Sequence, residues 1–353
     1  MSGVIQDQKS KENHGLMHTS KGPLVLLFFD GYDLKAREGF TGQLLSKMHH
    51  QIRNSKRSFC KQQSFTGFYS AFLGLIKSLE AVGCDVRVND FKLARKHPDY
   101  PIGVAGFPSV LDIVDLPNPK IFGPGDFGLP EQSQRVSNDP SFKKLIQPCE
   151  WFTKVYQPFC GDKMMPWFTG IDCEKLDDLS KHEKQYDFLI YDKIHWNREQ
   201  KSISVIERIK QHLDKRNLTY TSVRYGQHHF SQFVDGLKSS RALLYISEHE
   251  TQGLAYQEAL ASNIPVLAWN EETIIDPQLA KYNRADLNVS SVPYFDERCG
   301  MTFKTEHFES VCDQFISQHD SFQPREYVQS TLALPIAGQR YLDEYLTITN
   351  SAI

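Results

Sequence analysis

The residues best placed to do chemistry lie together in Ser247-Glu-His-Glu250-Thr-Gln-Gly253-Leu-Ala-Tyr-Gln-Glu258-Ala-Leu-Ala261. An apolar strand pattern precedes this run, and a second, Ile264-Pro-Val-Leu-Ala268, follows it. Glu250 falls in the strand-to-helix turn and Gly253 at or near the helix start. There the free backbone N–H groups and the positive end of the helix dipole can hold a diphosphate, and glycine lets a phosphate approach the backbone closely. Glu258 lies about a turn and a half into the helix, beside Ala255, Ala259 and Ala261, small residues that allow tight packing on a sheet. Carboxylates accept hydrogen bonds from vicinal hydroxyl pairs, which sugars and ribose both supply. Each glutamate also has a plainer reading: Glu258 as a solvated helix residue, and Glu250 as a helix N-terminal acid stabilised by the dipole.

The elements that must position these residues alternate regularly through the second half of the chain. Strands are expected at Tyr186–Tyr191, Tyr220–Tyr225, Ala242–Ser247 and Pro265–Ala268, and helices at about Lys201–Lys215, Phe230–Ser239 and Leu254–Ser262. Such alternation implies a parallel sheet with helices on both faces. In the first half, Pro23–Asp30 is a continuous apolar run closed by Asp-Gly, the pattern of a buried parallel strand. A helix over Phe68–Val82, stopped by Gly83, and a strand at Asp85–Asn89 complete a βαβ crossover. Residues 96–130 are rich in proline and glycine, with a short strand predicted to end at the Gly-Pro turn of Gly123-Pro-Gly125. Charge rises sharply after Asp172, where the domain boundary is expected. The chain from His307 to Tyr345 reads as mainly helical, with Pro324 opening one helix and Ile336–Tyr345 forming the last.

Several chemistries lose support. No GxGxxG follows Asp30 and no GxxxxGK[ST] occurs, so neither a dinucleotide fingerprint nor a Walker loop is present. No Asp-x-Asp motif occurs. The adjacent pairs His49-His50 and His228-His229 have diverging side chains, so metal ligation by either pair alone is not expected. Seven scattered cysteines, none in CxxC spacing, argue against a disulfide framework and a zinc site. The net charge of −3 divides into +4 over residues 1–172 and −7 over the remainder, far from the basicity of a nucleic-acid protein. The first twenty residues lack the apolar core of a secretory signal and read as a loose tail. The longest apolar run, Leu24–Phe29, is far short of a bilayer span. A cytoplasmic location is therefore expected. The cluster Arg53, Lys56, Arg57 and Lys61 could attract an anionic substrate or the inner membrane face, or be an ordinary solvated loop.

Taken with its flanking strands, Gly253, Ala-Leu-Ala and Ile-Pro-Val-Leu-Ala, the Glu-x7-Glu spacing resembles the element of retaining, nucleotide-sugar-dependent glycosyltransferases of the GT-B fold, in particular family 4-like enzymes. Cys149-Glu-Trp151, running on to Trp167-Phe-Thr-Gly170-Ile171-Asp172, resembles that family's interdomain segment. Tyr186–Lys193 resembles the strand that opens its donor domain, and Ala337–Tyr345 the helix that crosses back to the first domain. The resemblance covers residues 145–345, and residues 23–130 as a topology only.

The resemblance implies an α/β fold of two Rossmann-like domains facing across a cleft. Its divisions would be a tail over 1–20, an acceptor domain over 21–172, a donor domain over 173–335 and a returning helix over 336–353. By position, Glu250 would contact the donor sugar, Glu258 the nucleotide ribose and Gly253 the diphosphate. Lys193 and Arg198 would neutralise the leaving diphosphate, although Asp192-Lys193 and Asn197-Arg198 stand where Gly-Arg and Lys-Gly are usual. The turn with Arg224, Gly226 and His228 would hold the base, and the Gly31 loop would approach the donor from the other domain. Gly123–Asp126 would line the acceptor side or form a structural turn, and Ser291–Phe295 would serve packing. The implied activity is glycosyl transfer to a glycan, lipid-linked or small-molecule acceptor, as in polysaccharide biosynthesis, with no metal and no cofactor beyond the donor. The alternatives are a nucleotide-sugar epimerase-like or phosphorylase-like enzyme, for which no pyridoxal lysine segment stands out, and a non-catalytic scaffold.

Overall fold

The structure, a computed structural model, describes residues 16–31, 34 and 67–350. The His49-His50 pair, the Arg53–Lys61 cluster, Cys60 and most of the loop after Gly31 lie outside the described residues.

The first sheet is built from β1 (His18–Thr19), β2 (Gly22–Asp30), β3 (Asp85–Val88), β4 (Ile102–Gly106), β5 (Lys120–Gly125), β6 (Phe142–Gln147) and β7 (Met164–Pro166). Strand β1 forms an antiparallel hairpin with β2; every other pairing is parallel, running β3, β2, β4, β5, β6, β7 across the sheet. The connecting helices are α1 (Gly67–Ala81), α2 (Phe91–Lys96), α3 (Ser109–Ile113), α4 (Gln134–Ser137) and α5 (Glu150–Cys160). Leu24 through Phe29 of β2 are buried on both faces, as a central parallel strand requires, each large side chain contributing about 1.5–3 kcal/mol.

The second sheet contains β8 (Tyr186–Lys193), β9 (Tyr220–Arg224), β10 (Ser240–Ser247), β11 (Val266–Trp269) and β12 (Gly300–Phe303), all parallel, in the order β12, β11, β10, β8, β9. Its helices are α6 (Arg198–Lys201), continuing through a π-helical stretch at Ser202–Glu207 into α7 (Arg208–Lys215), then α8 (Phe230–Ser239), α9 (Leu254–Ala261), α10 (Phe308–Gln318) and α11 (Pro324–Thr331). In each sheet the chain order reverses beside the first long strand, between β2 and β4 and between β8 and β10. Crevices at such reversals, outside the carboxyl ends of the strands, are the usual ligand sites of open α/β sheets.

The last helix, α12 (Leu334–Asn350), packs on the first domain. The Trp167 indole donates to Ala337 O at 2.8 Å, the Tyr345 hydroxyl bonds Pro101 O and receives Leu26 N–H at 3.1 Å, and a methyl at Gly338 would strike the Ser78 carbonyl. The crossover itself is a short parallel bridge, Ile171 with Ala333. The fold is GT-B, as the resemblance implies: two Rossmann-like parallel sheets and a C-terminal helix that returns to the first.

Three expectations need correction. Strand β5 continues through Gly123-Pro124, so that pair is strand and not a turn. Residues 96–130 hold a central strand, β4, as well as the expected one. The helix expected at Lys201 begins at Arg198.

Candidate active site at the β8–β10 switch point

Parallel pairing sets Lys193 beside Ser247, in register, at the carboxyl ends of β8 and β10. Three residues beyond Ser247 the turn carries Glu250 back over the strand ends, so that Lys193 Nζ meets Glu250 Oε1 at 2.5 Å. The same oxygen accepts the Tyr245 hydroxyl at 2.7 Å and the Ser247 hydroxyl at 2.8 Å. Burial pushes the Glu250 carboxyl up, but the Lys193 charge and these hydrogen bonds outweigh it and hold it below its ordinary value, ionised at neutral pH. Lys193 also lies over the Tyr225 ring, 4.9 Å from its centre. Sequence reading placed both residues in one site, and the structure brings them into contact.

Gly253 caps α9 in the left-handed conformation, φ 72°, and a methyl there would collide with the Tyr256 ring. The start of α9, just beyond the carboxyl end of β10, has no side-chain cap, which leaves its first backbone N–H groups for other partners. Glu258, half-buried on the second turn of α9, makes no side-chain hydrogen bond or ion pair among the described residues. Burial pushes its carboxyl up to about 7. Gly226 follows β9 in a turn at φ 74°, with open space where a side chain would begin. Beside it, His228 Nδ1 lies 2.7 Å from Arg224 O.

Arg198 is engaged elsewhere in the site. Its guanidinium forms a two-pronged pair with Asp192, one contact being 2.9 Å, and donates to Ile194 O at 3.2 Å. Gly31 follows β2 at the other sheet's reversal, bonded through its backbone to Leu34; no described contact joins it to Lys193 or Glu250. Ser291–Phe295, expected to serve packing, lies ahead of the last strand of the second sheet and contacts both halves of the chain: Tyr294 donates to Pro148 O at 2.6 Å and the Tyr256 hydroxyl bonds Pro293 O.

Two residues escaped the sequence reading as individuals. Glu248 is fully buried, accepts the N–H groups of His195 (3.1 Å) and Trp196 (3.0 Å), and pairs with Lys201 at 3.1 Å. It thereby stitches the β8–α6 turn, which carries Lys193 and Arg198, to the β10–α9 turn, which carries Glu250. His249 stacks on Trp196 at 5.1 Å and meets Trp151 of the first domain edge-on at 5.7 Å. Burial lowers its pKa, and its Nε2 accepts Asp276 N–H at 3.3 Å, so the neutral imidazole carries its proton on Nδ1.

The domains meet close by. Trp151 Nε1 donates to Glu250 O at 3.0 Å, and Gln252 Oε1 accepts Thr169 N–H at 2.9 Å. The described cysteines are all free thiols. Among the described residues no three His, Cys, Asp or Glu are grouped to hold a metal ion, and no helix is long and apolar enough to cross a membrane. The site thus offers a buried carboxylate beside an ammonium, a helix start three residues on and, on the second turn of that helix, an unpaired carboxyl.

No family model and no curated protein sequence matches this chain. Solved structures do. Sucrose-phosphate synthase from Thermosynechococcus elongatus aligns over 93% of this chain and 100% of its own at 10% identity, with a TM-score of 0.55. AviGT4, a glycosyltransferase involved in avilamycin A biosynthesis, aligns over 81% and 91% at 12% identity and TM-score 0.49. The catalytic domain of starch synthase IV from Arabidopsis thaliana, bound to ADP and acarbose, aligns over 82% and 79% at 10% identity and TM-score 0.48. At such identities the likeness is one of fold.

Proposed function

We propose that this chain is a glycosyltransferase, family 4-like and retaining, that takes its sugar from a nucleoside-diphosphate donor held by residues 173–335 and passes it to an acceptor held mainly by residues 21–172. The observation that carries the reading is Glu250 paired with Lys193 at the switch point, followed in the chain by the start of α9 and, on its second turn, by the unpaired Glu258. In this reading the helix start and Lys193 stabilise the diphosphate as charge develops on it, Glu250 accepts donor-sugar hydroxyls and Glu258 accepts the ribose hydroxyls. The anomeric carbon–phosphate oxygen bond breaks, the bond to the acceptor oxygen forms, and the acceptor's proton passes to the departing phosphate, so no protein base is named. Cationic side chains and the helix dipole take the place of a divalent ion. We assign the enzyme to the cytoplasm, with glycan assembly as its setting and contact with the inner membrane face through Arg53–Lys61.

A second reading, a non-catalytic protein that keeps the fold, is favoured by one observation: Arg198 is neutralised by Asp192 and not free for phosphate. Thermal unfolding with UDP, GDP, ADP, CMP and their sugars, without added metal, on wild type and Glu258→Ala tests both. A stabilising shift with one diphosphate nucleotide, lost in the variant, supports the donor site. No shift at millimolar concentrations removes the transferase reading; a nucleotide shift without sugar transfer or donor hydrolysis leaves the second one.

A further inference from the structure

The first domain carries a cavity of about 500 Å3 at the carboxyl ends of β4 and β5, closed on one side by the segment that leads into α4. A volume of this size suits a small-molecule ligand. Leu111, Phe127 and Val136 supply apolar wall, and Asp126, Glu131 and Arg135 supply charge. Two of the three charged groups are already paired: Arg135 with Asp112 at 2.7 Å, and Glu131 with Lys281 of the donor domain at 2.5 Å. Asp126 gives Oδ1 to the Gly128 N–H at 2.7 Å and has no ion pair among the described residues, which leaves its other oxygen to accept from a ligand.

Helix α5 ties this cavity to the donor crevice. Tyr156 donates to Gly128 O at 2.8 Å in the cavity wall, and Trp151 on the same helix donates to Glu250 O at 3.0 Å. Five residues of helix separate the two anchors by about 7 Å along its axis. The cavity is lined by the first domain alone, and Lys281 of the second reaches its rim at Glu131, which puts the space on the side of the first domain that meets the second.

We propose that this cavity is the acceptor subsite and that it selects an uncharged acceptor, a glycoside whose apolar face or aglycone lies on Leu111, Phe127 and Val136 and whose hydroxyl is accepted by Asp126. Arg135 is balanced by Asp112 and Glu131 by Lys281, so the unpaired Asp126 leaves the cavity net negative and an anionic acceptor would set its charge beside that carboxylate. The inference rests on the transferase reading and adds the class of acceptor to it.

Calorimetric titration of the full chain with p-nitrophenyl glycosides of glucose, galactose and N-acetylglucosamine, with methyl glucoside and with p-nitrophenyl glucoside 6-phosphate tests it, nucleotide-induced thermal shifts being read on the same samples. At least one neutral aryl glycoside should bind about tenfold or more tightly than the phosphorylated or the methyl compound. Val136→Trp and Leu111→Trp, which fill the cavity from its buried and its partly exposed wall, should abolish that binding and leave the nucleotide shift unchanged. The proposal is overturned if no neutral glycoside binds, if the 6-phosphate binds as well, or if a folded filling variant binds as wild type does. Glycoside binding that disappears on filling, in a protein that no nucleotide stabilises, would instead remove the transferase reading and with it the role of acceptor.

Discussion

Lys193 and Glu250 are 57 residues apart in sequence and 2.5 Å apart in space, and the contact follows from the sheet. Because β8 and β10 are neighbours in register, a lysine ending one strand and a glutamate three residues past the other must face each other across the reversal point. Tyr245 and Ser247, both on β10, direct their hydroxyls to the same carboxylate oxygen. Glu250 is therefore held by three donors before any ligand arrives, and a donor sugar would have to displace or share them.

Removing the lysine should expose the cost of that burial. Lys193→Met leaves a buried carboxylate with hydroxyl donors but no counter-charge, and is expected to destabilise the chain by about 2–4 kcal/mol. Glu250→Gln in the same background should recover part of the loss, giving a coupling energy of about 1–3 kcal/mol in a double-mutant cycle followed by urea unfolding. Additive losses would show that the pair carries no interaction beyond its separate contacts.

Glu258 makes a prediction about pH. Its folded carboxyl titrates at about 7 against an ordinary 4.5, so between those values the folded state holds a proton that the unfolded state has released. Stability contributed by the neutral form is present at low pH and is lost as pH rises from about 4.5 to 7, by roughly 1–3 kcal/mol. Glu258→Gln should flatten that slope. Ligand binding runs the other way: if ribose hydroxyls donate to the ionised carboxylate, nucleotide affinity should improve about tenfold from pH 6 to pH 8 in wild type, and not at all in the variant. Isothermal titration at several pH values separates the two effects.

Asp192 sets how much positive charge the site can show to a phosphate. Its pair with Arg198 is only partly exposed, 12% and 25% for the two side chains, and it stands where the resembled family has glycine. Asp192→Asn should cost about 1 kcal/mol in stability yet tighten diphosphate nucleotide binding several-fold, since Arg198 is released. Arg198→Gln should then change affinity little in wild type and markedly in the Asp192→Asn background. Equal effects in both would mean that Arg198 already reaches the phosphate despite its partner.

The parts of this architecture that were legible in the sequence are those whose local pattern and tertiary role agree. Strands β8, β10 and β11 each carry a continuous apolar run, Phe188–Tyr191, Ala242–Ile246 and Val266–Trp269, and Gly253 marks the start of α9 because only glycine clears the Tyr256 ring at φ 72°. Strand β4, Ile-Gly-Val-Ala-Gly, carries no such signal. Its Gly103 makes room for the Tyr341 hydroxyl of the returning helix and for Leu27, a requirement that arises only once the chain has folded back. Strand β6 is hidden for another reason, two lysines that interrupt its apolar pattern. Glu250 and Glu258 were visible as a spacing, whereas Glu248 was not. Its partners are two backbone N–H groups and a lysine 47 residues away, and no spacing rule encodes them. Asp192 could be seen as unusual, but its grip on Arg198 depends on how the turn at Asn197, φ 49°, aims the first turn of α6.

The returning helix makes the last prediction, because two glycines there face obstacles of different kinds. A methyl at Gly338 of α12 would collide with the backbone carbonyl of Ser78 in α1, whereas one at Gly74 of α1 would meet the side-chain methyl of Thr169. A carbonyl inside a helix cannot move without disturbing its hydrogen bond, but a threonine can change rotamer or shift. In an exposed helix either substitution would gain up to about 1 kcal/mol from helix propensity. Gly338→Ala is accordingly expected to lose about 1–3 kcal/mol net and Gly74→Ala distinctly less. Because α12 is bound to the first sheet through Tyr345 and Trp167 and leaves the second domain at Ala333, the Gly338 variant should also raise protease sensitivity between residues 331 and 340. Urea unfolding ranks the two variants, and limited proteolysis locates the opening. Equal losses from both would mean that α1 and α12 separate freely enough to admit the methyl, and that the helix is a looser strap than its contacts suggest.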